Sequence, residues 1–92
     1  MAGRGELTVK VVEATKLVWE GGATMVVART SEGEIGILAG HEPVLAALGS
    51  GQVRITATDG SKIVANAEGG FLSVNSDVVT VVAGEAELVS GE

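Results

Sequence analysis

Apolar side chains recur at every second position along most of this chain, and no segment sustains the three-to-four spacing of a helix. Leu7, Val9 and Val11 alternate with Thr8 and Lys10, the pattern of a strand with one buried face. Glu13-Ala14-Thr15 breaks that pattern, and residues 17–19 read as a second short strand ended by Gly21-Gly22. Met25, Val26, Val27 and Ala28 stand in a row, as in a central strand partly buried on both faces. Val53, Ile55 and Ala57 point one way, Arg54, Thr56 and Thr58 the other, and Asp59-Gly60 follows as the strongest hairpin signal in the chain. Ile63, Ala65 and Ala67 alternate on the return. Glu68-Gly69-Gly70 reads as a bend, residues 71–74 as a short strand and Asn75-Ser76-Asp77 as a turn. Residues 78–83 form the most β-branched segment, and residues 85–89 alternate to the end. The expectation is a single all-β domain over residues 1–92: an antiparallel β-sandwich or barrel of eight to ten short strands.

One stretch departs from simple alternation. Residues 31–43 hold three of the 14 glycines, the only proline and the only histidine. Ile35-Gly36-Ile37-Leu38 reads as a strand between two tight turns, and its Gly36 suggests a bulge or a close backbone approach. Pro43 disfavours helical geometry at Glu42. Val44, Leu45 and Leu48 fit one face of a helical turn or an extended edge segment. Gly49-Ser50-Gly51 soon afterwards favours the extended form and is read as its stop.

Composition excludes several functions. A net charge of -6, from 12 acids and 6 bases, leaves no basic cluster for phosphate backbones or anionic lipid. Trp19 and Phe71 are the only aromatics, too few to stack single-stranded nucleic acid. Without cysteine there is no disulfide, thiol nucleophile or thiolate metal site. No apolar run approaches the roughly 20 residues of a membrane span, and residues 1–5 carry no signal-peptide core.

Catalytic groups are equally scarce. His41 is the first candidate for a general base, with Glu34 and Glu42 the nearest carboxylates in sequence. No nucleophile with a local signature accompanies it, so it reads as a loop or interface residue. Asp59 and Asp77 sit in turn sequences, where Asp has a backbone role, and do not make a calcium loop. Gly33, Gly36 and Gly40 lack the Gly-Lys-Ser/Thr of a phosphate loop. Glu32 and Glu34 beside a turn read as exposed charge. A binding or structural subunit fits best, with no cofactor and no metal.

The central stretch, from Val26-Val27-Ala28-Arg29-Thr30 through Ser31-Glu32-Gly33-Glu34-Ile35-Gly36-Ile37-Leu38-Ala39-Gly40-His41-Glu42-Pro43-Val44-Leu45, resembles the epsilon subunit of F-type ATP synthases. Gly69-Gly70-Phe71-Leu72-Ser73-Val74 and Ala83-Gly84-Glu85-Ala86-Glu87-Leu88 match two further motifs of that family in order and spacing. The Val-Val-Ala-Arg-Thr run and the Ala/Val/Gly-rich composition are similar to high-GC bacterial members.

The resemblance implies the family's ten-stranded N-terminal β-sandwich and a non-catalytic rotor subunit of the central stalk. It would dock the gamma subunit onto the c-ring and support coupling of proton flow to ATP synthesis. It would be peripheral at the cytoplasmic face of the bacterial plasma membrane, not inserted. By position, Ser31, Glu32, Gly33 and Glu34 would face the c-ring loops, and Glu13, His41 and Ala46 the gamma subunit. Ala39 stands where the family usually has proline, and Glu42 where a small or neutral residue is usual. The chain stops at Ser90-Gly91-Glu92, where the family's two C-terminal helices would begin, so neither ATP binding nor helical inhibition is expected. A naturally short protein and an excised domain both fit that ending. The rival reading is a free-standing β-sandwich binding module, for example for carbohydrate, but it wants an aromatic face that two aromatics supply poorly.

Overall fold

The computed structural model describes residues 6–13 and 16–89. The expectations placed on residues 1–5, on the break at Ala14-Thr15 and on residues 90–92 lie outside the described residues.

Alternation becomes strand wherever one set of side chains can leave water. Leu7, Val9 and Val11 are fully buried on β1 (Leu7–Glu13), while Thr8 and Lys10 are exposed or face outward. Five more strands follow: β2 (Lys16–Thr30), β3 (Gly33–Leu38), β4 (Val44–Ala57), β5 (Lys62–Asn75) and β6 (Val78–Val89). No helix occurs among the described residues. The order is β1-β6-β5-β4-β2-β3, and β1 also pairs with β2. Five strands therefore close into a circuit, and β3 hangs on β2 alone. All pairings are antiparallel except β1 with β6, where Thr8 to Glu13 run alongside Val78 to Ala83.

The expectation of eight to ten short strands is corrected to six long ones. Four of these, β2, β4, β5 and β6, each serve both layers of the sandwich. One layer is β3 with residues 23–30, 50–57, 62–68 and 85–89; the other is β1 with residues 16–23, 44–48, 70–75 and 78–83. Counted as half-strands, these make the ten expected from the resemblance. The sequences read as strand stops, Gly21-Gly22, Gly49-Ser50-Gly51 and Glu68-Gly69-Gly70, are corners inside continuous strands. The ladder skips Gly49, Gly69 and Gly84 on three neighbouring strands, and there the chain passes from one layer to the other. Sandwich corners are made by strands that bend between sheets, and glycine permits the bend. Gly70 is the tightest point: its φ is 106°, and a Cβ there would run into the carbonyl oxygen of Val82 and lie 2.8 Å from the Cα of Ala83.

The core fills the space between the layers. Val26, Ala28, Ile37, Val53 and Ile55 come from one layer; Val9, Val11, Leu72, Val74, Val79 and Val81 come from the other. Each fully buried Leu, Ile or Val contributes about 1.5–3 kcal/mol of transfer free energy. No polar side chain is buried among the described residues. Trp19 packs against this core with its indole lying over Gly21, where a Cβ would come within 2.9 Å of the ring. Gly36 is neither a bulge nor a close approach: its register with Val27 is regular, and nothing lies within 4 Å of a Cβ placed there. Its side faces solvent.

Asp59-Gly60 makes the expected hairpin. The Asp59 carboxylate accepts hydrogen bonds from the Ser61 hydroxyl at 2.6 Å and the Ser61 N–H at 2.9 Å. Those bonds, the hydroxyl first, hold the Asp59 carboxyl below its ordinary value. A carboxyl depressed by folding stabilises the fold above the unfolded value of about 3.9, and that contribution is lost as pH falls through the folded value. Ser61→Ala is expected to move the Asp59 titration upward. Carboxyl-carbon NMR against pH reads this directly, and an unmoved midpoint would remove the Ser61 hydroxyl as the cause.

Candidate functional site

The β2–β3 turn is built from Thr30. Its hydroxyl accepts the Glu32 N–H at 3.1 Å and donates to the Gly33 carbonyl at 2.7 Å, closing a two-residue loop of Ser31 and Glu32. The Ser31 N–H donates to the Ala47 carbonyl at 3.0 Å, which pins the turn against β4. Ser31, Glu32, Gly33 and Glu34 are all exposed. Arg29 stands directly across from Glu34, an opposite-charge cross-strand pair on the outer face. The turn therefore presents carboxylates outward at the end of β2 and β3, braced by β4.

The β3–β4 connection lies at the other end of β3. Six strand residues set the two loops about 17–20 Å apart. The His41 N–H donates to the Leu38 carbonyl at 3.1 Å, and His41 Nδ1 lies 2.7 Å from the Glu42 carbonyl oxygen. A carbonyl only accepts, so Nδ1 carries the hydrogen, and Nε2 has no hydrogen-bond partner among the described residues. His41 is half-buried, and Glu42 and Pro43 are exposed.

The structure does not gather the other two expected positions around His41. Glu13 ends β1 opposite Lys16 and Ala83, whereas the His41 loop lies by the start of β1. Ala46 is half-buried on the inward-facing register of β4, opposite buried Leu72; its neighbours Leu45 and Ala47 point outward. Glu13 instead borders an open cleft of about 640 Å³ at the glycine corner, with Glu68, Glu85 and Asn66. Among the described residues no cluster of His, Asp or Glu is placed to hold a metal ion.

Two features escaped the sequence reading. The first is a cross-strand apolar row on the outer face, in register as Leu17, Val12, Val82, Phe71 and Ala47, with Leu45 beside it. Leu45 is 75% exposed and Leu17 53%. The doubled residues Val11-Val12 and Val81-Val82 were the available signal, since adjacent apolar residues in a strand face both ways. The second is Asp77, whose carboxylate accepts the Gly40 N–H at 2.7 Å.

Fold and site together define a β-sandwich with two outward loops at opposite ends of one strand and an exposed apolar row. Residues 6–89 match the family model of the ATP synthase delta/epsilon chain, β-sandwich domain. An ATP synthase epsilon chain of Rhodococcus jostii is 51% identical over 84 residues, covering 90% of this chain and 69% of the relative. One from Micrococcus luteus is 49% identical, covering 90% of this chain and 91% of the relative. Among solved structures, a chain of the Euglena gracilis mitochondrial ATP synthase superposes with a TM-score of 0.85 at 27% identity, covering 96% of this chain and 57% of that one. The chain belongs to the ATP synthase epsilon family, through its β-sandwich domain. As an epsilon chain it is a structural or regulatory subunit of the central stalk and not a catalytic one, within a membrane-associated complex.

Proposed function

We infer that this domain is the rotor piece that docks the gamma subunit onto the c-ring, helping proton flow reach ATP synthesis. The family match over residues 6–89 carries the reading, and it displaces the free-standing module. The geometry supports it. The Ser31–Glu34 turn offers exposed carboxylates to the polar loops of the c-ring, with Glu34 the principal contact. The His41 loop offers a free Nε2 to gamma from the far end of β3, with Glu13 and Ala46 assigned to the same partner by position. Charge complementarity at such a turn sets register more than affinity. In a bacterium the domain would then lie on the cytoplasmic face of the plasma membrane, held there through the complex. Purified gamma subunit is expected to capture the protein, and failure of both gamma and the c-ring to bind it would overturn the reading.

Glu34→Lys tests the turn separately. It is expected to lower proton-driven ATP synthesis several-fold in reconstituted vesicles. The fold should lose no more than about 1 kcal/mol, from two cations facing each other across β2 and β3. Unchanged coupling would remove Glu34 from the c-ring contact.

A further inference from the structure

The β5–β6 turn contains the only described residues other than glycine with positive φ: Ser76 at 51° and Asp77 at 65°. Asn75 pairs with Val78, so Ser76 and Asp77 are the two central residues of a tight hairpin with both in the left-handed region. Turns of that type strongly favour glycine at the second centre, and a side chain there costs stability. A strained residue kept in place points to a use for its side chain. Here the use is visible. Asp77 Oδ1 accepts the N–H of Gly40, 37 positions away, at 2.7 Å. Its own carbonyl accepts the Thr8 N–H at 2.9 Å, which anchors the turn to the start of β1. Gly40 itself has a φ of 88° and precedes His41. Among the described residues, one charge-assisted hydrogen bond thus links the sandwich to the loop that bears His41, held from a turn that is itself tied to the parallel pair.

We propose that Asp77 is a positioning residue that clamps the Gly40–His41 loop in its docking conformation. This rests on the reading of His41 as gamma-facing. Without the clamp, the loop is held by the His41 N–H bond to Leu38 and the contact between His41 Nδ1 and Glu42. The first ties the loop only to the end of β3 and the second lies within the loop, so neither reaches β1, β5 or β6. Preorganising a loop lowers the ordering cost of binding.

Asp77→Gly separates the clamp from simple stability, because glycine suits the turn and relieves its strain. The variant is expected to unfold within a few degrees of the parent temperature or above it. Exchange of the Gly40 amide with solvent should accelerate by about tenfold, the order expected for loss of a charge-assisted hydrogen bond. Capture by purified gamma subunit should weaken about five- to tenfold. Asp77→Asn keeps both the acceptor and tolerance of the left-handed region, and should hold capture within about threefold of the parent. Unchanged Gly40 exchange in Asp77→Gly, or capture equal to the parent, overturns the proposal. Failure of gamma to capture the parent protein would instead refute the docking reading, and Gly40 exchange would still decide whether Asp77 holds the loop.

Discussion

Gly70→Ala is expected to cost about 3 kcal/mol or more, a large share of the roughly 5–14 kcal/mol that holds a domain of this size. Two effects add. A φ of 106° is a conformation that side-chain-bearing residues rarely adopt, and the new Cβ meets the Val82 carbonyl oxygen and lies 2.8 Å from the Ala83 Cα. Those atoms are backbone in the ladder opposite Gly70, so they cannot step aside without breaking β5–β6 pairing at the corner. Gly69 supplies the internal control. It too has positive φ, 67°, but a Cβ there meets nothing within 4 Å. Gly69→Ala should therefore cost only the left-handed penalty, about 1–2 kcal/mol. Urea unfolding of both variants decides the matter, and equal midpoints would show that the corner is looser than its geometry.

Leu72→Ala is expected to cost about 2–5 kcal/mol through lost burial and the cavity left behind. Leu72 is fully buried, between Ala46 on β4 and Val81 on β6. Each kcal/mol lowers the melting temperature of a domain this size by about 4–8 °C, so the drop should exceed about 8 °C. Leu45→Ala, one residue over on β4 and 75% exposed, should stay within about 0.5 kcal/mol. Calorimetry on the pair checks whether the inward register of β5 and the outward register of β4 are assigned correctly; similar losses would mean they are not.

The alternation itself was readable. Leu7, Val9 and Val11, or Val53 and Ile55, are buried where their periodicity places them, because a half-buried strand leaves its pattern in the sequence. The extended reading of residues 44–48 also holds. What the residues could not disclose locally was whether a glycine ends a strand or bends it. Gly49, Gly69 and Gly84 are far apart in the chain, and only the pairing of β4, β5 and β6 aligns them into one corner. The family motif marked Glu34 and His41 as loop residues, and both are found in or beside loops. It carried no sign that Glu13 lies at the opposite end of β1 from the His41 loop. Nor did it mark Asp77, which looks like any turn aspartate until the fold brings Gly40 to its carboxylate.

The parallel pairing of β1 with β6 has a consequence for how the chain is made. Thr8 finds its partner at Val78, almost the whole length of the sequence later. A nascent chain leaving the ribosome holds β1 against β2 alone, with Val9 and Val11 still lacking Val79 and Val81. The sandwich cannot seal until its last strand has emerged. Such long-range closure is the slow step of β topologies, so this domain closes only after β6 has been made.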